Sequence, residues 1–344
     1  MWSPERRGEN QVTPDPIIAL GTAFCGAKTL LSAVELGVFS ELAEAGPLSG
    51  EELRARLKLH PRGARDFFDA MVALDLLVRD NGNYSNTPAS ELFLDKSKLS
   101  YAGGLLEMAN AQMYRTWGSL TAGLRTGRAQ HEVKSGEDLF QEFYTDPVRT
   151  SQFVRAMTAI SADAARAIAT KFPWHDHSSV IDIGCAEGAL PVRIAMAHEH
   201  ITGGGLDLPT LGPLFTGYVE RFGLGERLSF IAGDFFVDAL PQADVLVMGH
   251  ILHGADIDQK RLLLRKAYES LPRGGALIVY DTIIDDERRH NVYGLLMSLH
   301  MLLDSPGGFE YTGMDCRAWM REAGFRKSYV EHLAGPRSMV VGIK

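Results

Sequence analysis

The chain has 344 residues, 45% of them hydrophobic, with a formal net charge of −8 and three cysteines. This length and apolar content suffice for two domains with cores of their own. The acidic balance, with no basic cluster beyond dipeptides such as Arg288-Arg289, speaks against a nucleic-acid partner. Cys25, Cys185 and Cys316 lie far apart without paired spacing, so neither a disulfide framework nor a zinc site is expected, and a reduced, cytoplasmic setting is.

Residues 1–14 are polar, lack the apolar core of a signal peptide and read as a flexible leader. No uninterrupted apolar run approaches the roughly 20 residues that cross a bilayer, so no membrane contact is expected. The stretch IIALGTAFCGAKTLLSAVELGVFSELAEA is apolar around most of a helix and needs a partner to cover it. Ser49 with Glu52 forms a capping box, Pro61 opens a further helix, and Asn81-Gly82 between short strand-like flanks reads as a hairpin. Three helices followed by a hairpin make a winged-helix layout over 15–100.

A winged helix often binds DNA, so a ligand-sensing regulator is the rival reading of this half. Its third helix, however, carries Arg62, Arg65 and Asp66 followed by the apolar FFDAMVALDLL, a pattern of packing or dimer contact. Residues 101–172 are expected to be a helical linker and pocket segment, with Asp146-Pro147 starting its last helix.

Across 173–344 short apolar strands (VIDIG, GGGLDL, LSFIAG, ADVLVMG, ALIVYD) alternate with helical material. This predicts an α/β fold, a Rossmann-like doubly wound parallel sheet. RKSYVEHL and SMVVGIK are expected to close it as an antiparallel edge.

VIDIGCAEG, residues 180–188, places a strand, a small-residue turn and a helix start in succession. Gly184, Ala186 and Gly188 let a ligand approach bare backbone near a helix N-terminus. A dinucleotide fold shares this pattern, which keeps NAD-dependent oxidoreduction as an alternative. Asp182 before the first glycine would repel a pyrophosphate and suit a cationic amino group or sulfonium, which favours S-adenosylmethionine. Asp207, followed by Leu208, could accept both ribose hydroxyls; Asp234 could take the adenine amino proton while Phe235 covers the ring. An aspartate at a strand end is often only a helix cap. Three of them at the ends of successive parallel strands face one crevice and are read together as a ligand site.

His250 and His253 follow the fourth strand at the same end of the sheet. A neutral imidazole there can take a proton from a hydroxyl as it attacks a methyl sulfonium. No third and fourth donor follows at metal-site spacing, so no metal is expected. Asp281 ends the fifth strand and Glu310 lies in PGGFEYT, and either could orient an imidazole. Met157, Met297 and Met301 are candidates to line an apolar acceptor pocket, although methionines at helical spacing are commonly core.

AVELGVFSEL, YSNTPAS, DIGCAEG, LDLP, GDFF, ILH, LPRGGALIV, PGGFEYT and AGF, in this order, resemble the small-molecule O-methyltransferases that dimerise through an N-terminal winged-helix domain, including caffeate and acetylserotonin O-methyltransferases. The resemblance spans residues 15–344. It implies a homodimer acting in secondary metabolism on a phenolic small molecule, with the N-terminal half supplying dimer contacts and part of the acceptor pocket. It further implies cofactor contacts at Gly184, Asp207, Asp234 and Phe235, His253 as base, and Asp281 and Glu310 beside it. Gly249 and His250 are grouped with the cofactor residues. Three positions depart from the family: Gly254-Ala255 replaces Asp-Trp, Gly249 replaces a basic residue, and Asp281 replaces Glu. Some relatives bind the cofactor yet methylate nitrogen or carbon, or run other chemistry, and this stays open.

Overall fold

The computed structural model describes residues 12–98, 100–130 and 146–344. The expected flexible leader lies almost wholly outside the described residues. The chain divides into two compact units, Met1–Tyr114 and Arg115–Lys344, so the division falls inside the 101–172 segment.

In the first unit the helix Asp15–Glu35 leads to Val38–Ala45, Gly50–Arg56 and Pro61–Ala73. A three-stranded sheet of β1 (Leu48–Ser49), β2 (Leu77–Asp80) and β3 (Asn83–Asn86) is ordered β1-β3-β2. The capping box forms as expected: Ser49 Oγ accepts from the Glu52 N–H, and Glu52 caps the Ser49 N–H at 2.9 Å. Asn81 and Gly82 both take left-handed backbone (φ 49° and 84°), the requirement of a tight two-residue hairpin. Val34, Phe39, Leu42, Leu53, Phe68, Met71 and Tyr84 build the core, while Arg62 and Arg65 are exposed.

The helix Asp15–Glu35 is, by length and composition, long and apolar enough to span a bilayer. Gly21, Thr22, Gly26, Lys28 and Thr29 interrupt its apolar run. Leu31, Ala33 and Val34 are buried in the unit's own core, whereas Ile17, Leu20 and Phe24 stay 77%, 79% and 58% exposed.

The second unit is built on a seven-stranded sheet. Its strands are β4 (Ser179–Ile183), β5 (Thr202–Asp207), β6 (Leu228–Ala232), β7 (Val245–Gly249), β8 (Ala276–Asp281), β9 (Lys327–Ala334) and β10 (Arg337–Ile343). They are ordered β6-β5-β4-β7-β8-β10-β9, with β4 to β8 parallel and β10 antiparallel to both its neighbours. Strand alternation splits the core: Ile181, Ile183, Leu246, Met248, Leu277 and Val279 pack on one face, and Val180, Val245, Val247, Ile278 and Tyr280 on the other. All six residues of β8 are buried, because helices cover both faces of a parallel sheet.

Helical material does not separate every pair of strands. Residues 233–244, between β6 and β7, contain turns and bends but no helix. The parallel register aligns Ile183 with Leu206 and Met248, and Gly249 with Tyr280. The carboxyl ends of β4, β5, β7 and β8 therefore open onto one crevice, with the order of strands reversing at β4.

Candidate active site

The turn after β4 is held in shape by left-handed backbone at Gly184, Ala186 and Gly188 (φ 74°, 50° and 84°), Gly188 capping the helix Ala189–Ala197. At Gly184 a side chain would also have no room: a Cβ there would lie 2.3 Å from Ile251 Cδ1 and 3.5 Å from the Phe235 ring. Glu187 of the turn accepts a 2.6 Å bond from Thr158 on the helix Pro147–Lys171, the helix that also carries half-buried Met157.

Asp207 ends β5 with its carboxylate facing this turn. It accepts from the Ala186 N–H at 2.9 Å and from the Leu208 N–H at 2.8 Å, one on each oxygen. Burial raises its pKa to about 6 despite those two bonds. Burial pushes Asp182 up more strongly, and the nearby Asp207 charge adds to it. Two buried acids side by side are costly in isolation and suit a site that receives hydroxyls and a cation. Neither acts as a helix cap. Asp234 lies after β6, half-buried, its Oδ1 accepting from the Phe236 N–H at 2.8 Å, while the Phe235 and Phe236 rings pack 4.8 Å apart.

The second cluster stands at the ends of β7 and β8. His250 takes left-handed backbone (φ 56°), uncommon for a residue with a side chain, and its N–H donates to the Tyr280 carbonyl at 3.1 Å. His253 lies in the short turn Leu252–Gly254, with its Nδ1 2.8 Å from Glu310 Oε1. Thr282 Oγ1 donates to the same carboxylate oxygen at 2.5 Å. Asp281 Oδ1 lies 3.8 Å from His250 Nδ1 and 3.9 Å from His253 Nδ1, and the Tyr311 hydroxyl donates to its Oδ2.

Charge in this cluster is decided by a contest. Burial works against a charged His253 ring, but the Glu310 and Asp281 carboxylates outweigh it and raise its pKa to about 9. Burial keeps His250 neutral, with the His253 charge acting in the same direction. Asp281 is pushed up by burial, against the pull of His253.

No third metal donor follows the two histidines at metal-site spacing along the chain, but one meets them in space. Asp281 joins the two histidines, and donor atoms of all three lie within 4.8 Å of one another. His253 Nδ1 is engaged by Glu310 and Asp281 Oδ2 by Tyr311, while Asp281 Oδ1, the oxygen nearer the two histidines, has no hydrogen-bond partner among the described residues; the Glu310 contact is of the kind that can orient an imidazole for proton transfer.

Met297 and Met301, one turn apart on the helix Val292–Asp304, flank the buried His300, and that helix packs on the turn carrying His253. The position of Gly249 is explained by Tyr280: a Cβ on Gly249 would lie 2.1 Å from that ring. Gly254 meets nothing within 4 Å, and Ala255 is buried. Several residues of the cluster escaped the sequence reading: Ile251, Thr282, Tyr311 and Lys260. Thr282 and Tyr311 directly follow Asp281 and Glu310, a signal that adjacency alone offered. Lys260, on the helix Ile257–Ser270, offered none.

A model of the O-methyltransferase domain matches residues 117–326, and one of the O-methyltransferase dimerisation domain matches residues 19–96. The chain is 40% identical over 332 residues to TcmO of Streptomyces glaucescens, a tetracenomycin polyketide synthesis 8-O-methyl transferase, covering 96% of this chain and 97% of that one. It is 38% identical over 319 residues to OxyT of Streptomyces rimosus, an N,N-dimethyltransferase, covering 92% of each. Human N-acetylserotonin methyltransferase, solved in complex with SAM, aligns with a TM-score of 0.89 at 26% identity, covering 98% of this chain and 99% of that one. The chain belongs to the S-adenosylmethionine-dependent O-methyltransferases, with an N-terminal helical dimerisation domain and an α/β methyltransferase domain.

Proposed function

We propose that this enzyme methylates a phenolic hydroxyl of an apolar, polyketide-like aromatic molecule, with His253 as general base. The observation that carries this reading is the 2.8 Å contact between His253 Nδ1 and Glu310, which leaves the other ring nitrogen, Nε2, to receive the acceptor's proton. S-adenosylmethionine, when bound, supplies an electrophilic methyl carbon on a sulfonium. In the proposed site Asp182, Gly184, Ala186, Gly188, Asp207 and Leu208 hold the methionyl and ribose parts, and Asp234 and Phe235 the adenine. Gly249 and His250 complete the floor.

Asp207 keeps one lone pair on each oxygen beyond those used by Ala186 and Leu208, which suits a pair of hydroxyls. His253 accepts the phenolic proton while Glu310 and Asp281 stabilise the resulting imidazolium. General-base help of this kind contributes about 10²- to 10⁴-fold, and holding the nucleophile in line supplies more. Met157, Met297 and Met301 are proposed to line the acceptor side, where flexible thioethers fit a flat apolar ring. The exposed apolar face of Asp15–Glu35 supports a homodimer, with a second copy covering Ile17, Leu20 and Phe24.

Incubation with methyl-labelled S-adenosylmethionine and a panel of hydroxylated naphthoates and anthraquinones tests this reading. Label in an aryl methyl ether is expected with the wild type, and a loss of at least about 100-fold in His253→Ala with cofactor affinity retained. Wild-type turnover in His253→Ala would refute the base. The 38% identity to OxyT favours one second reading, methylation of an amino group, which the same panel extended with arylamines would reveal as an N-methyl product.

A further inference from the structure

Lys260 is the one fully buried lysine among the described residues, with 0% exposure, and lysine is almost never buried without a specific partner. Its Nζ donates to the Ala255 carbonyl at 2.5 Å and lies 3.6 Å from the centroid of the Phe309 ring, with the Tyr311 ring at 5.7 Å. Ala255 stands two residues after His253, and Phe309 immediately precedes Glu310. The ammonium is thus gripped by both segments that carry the proposed base and its carboxylate partner.

Other contacts lace the same two segments. The Phe309 N–H donates to the His253 carbonyl at 2.8 Å, and Ser305 Oγ donates to the Gly254 carbonyl at 2.5 Å. At Gly308 a Cβ would lie 2.9 Å from the His253 carbonyl oxygen. These bonds fix the backbones, and Lys260 reaches from a further element, the helix Ile257–Ser270, into the angle between them. We infer that Lys260 is a positioning residue, a buried ammonium that clamps the turn of His253 to the loop of Glu310 so that imidazole and carboxylate meet at hydrogen-bond distance. The inference rests on the reading of His253 as base.

The charged and titratable groups acting on the ammonium support it. Burial lowers the Lys260 pKa to about 8, opposed by the carboxylates of Asp281, Glu310 and Asp256 and by Cys316, so the group remains mainly charged at neutral pH. A cation over an aromatic face, desolvated, is a favourable and directional contact that a methionine of the same length would not reproduce.

The test replaces Lys260 by Met, which keeps the stem and loses the charge, and by Arg, which keeps a cation able to stack on Phe309. In protein labelled with ¹⁵N-histidine, the Nδ1–H resonance of His253, assigned by its loss in His253→Gln, is expected far downfield in wild type and K260R, and broadened or moved upfield in K260M. With an acceptor from the panel above, kcat of K260M is expected to fall about 10-fold while cofactor Kd stays within about 2-fold, and K260R to recover most of the loss. Removing the ammonium alone leaves the buried Ala255 carbonyl without its donor, so Tm of K260M is expected to fall and that of K260R to fall less, which is why the resonance rather than Tm decides the test.

A wild-type resonance and kcat in K260M, or a K260R no better than K260M, would overturn the inference. If K260M does not fold, Phe309→Leu carries the test: the same loss of the resonance supports the clamp, and an unchanged resonance rejects it. Activity retained in His253→Ala would remove the base reading, while the resonance comparison, which needs no acceptor, would still decide the clamp.

Discussion

His253 and Glu310, 57 residues apart in sequence, meet through Nδ1 and Oε1 at 2.8 Å, and Thr282 donates to the same oxygen. The contact sets the ring's orientation and favours its charged form. With a pKa near 9 the free enzyme holds imidazolium at neutral pH, and a base must be neutral. The rate kcat/KM is therefore expected to climb as pH rises toward about 9. The groups facing the ring are Glu310, Asp281, His250, Lys260 and His300. Removing the nearest charge in Glu310→Gln should move the rising limb down by roughly one unit or more. A limb that does not move would reject the pairing as the cause.

The same shift has a consequence for stability. A histidine whose folded pKa is raised stabilises the fold fully below its unfolded value of 6.5 and loses that contribution as pH rises through about 9. The difference in Tm between wild type and Glu310→Gln should shrink across this window, as followed by thermal melts from pH 6 to 10. A constant difference would mean that the pair does not titrate with the ring.

Asp207 meets the turn through Oδ2, at the Ala186 N–H, and holds the Leu208 N–H on Oδ1. Asp207→Asn would turn an NH₂ against one of those donors and remove a charge from the proposed ribose site. Cofactor affinity measured by calorimetry is expected to fall about 10- to 100-fold. In the wild type it should also weaken as pH drops through about 6, where burial places this carboxylate's protonation. Affinity unchanged in the variant would exclude Asp207 from the site.

Gly184 and Gly254 make opposite predictions for the same change. Gly184 has φ 74° and a Cβ would strike Ile251, so Gly184→Ala should cost about 1–3 kcal/mol and abolish tight cofactor binding. Gly254 faces open space, and Gly254→Ala should stay within about 0.5 kcal/mol of wild type. Denaturant melts separate them; equal losses would refute the crowding argument.

Tyr280 fills the space that a side chain at 249 would take. Gly249→Ala alone should destabilise by about 1–3 kcal/mol through overpacking. Combined with Tyr280→Leu, it should cost less than the sum of the two single changes, since the clash is shared. Simple additivity in urea unfolding would show that ring and glycine are independent.

Much of this was legible along the chain because it depends on near neighbours. The capping box at Ser49, the hairpin at Asn81-Gly82 and the parallel strands follow from side-chain period, turn chemistry and β-branched runs. The Gly184 turn was legible for the same reason: its backbone needs small residues in immediate succession. The crossover at 233–244 has no helix, because continuity of pattern is a poor guide to what packing completes.

The sequence by itself determined the α/β class, the order of the parallel strands along the chain and that Asp207 and Asp281 end two of them, since each rests on local periodicity. Only the tertiary structure decided that β10 inserts between β8 and β9, that Asp281 brings a third donor to the two histidines, and that Tyr280 occupies the room beside Gly249. It alone decided that Glu310, rather than Asp281, takes the His253 Nδ1, and that a buried Lys260 sits between their loops. These are contacts between segments tens of residues apart. Their distances are set by how helices and strands pack, a property no local spacing encodes.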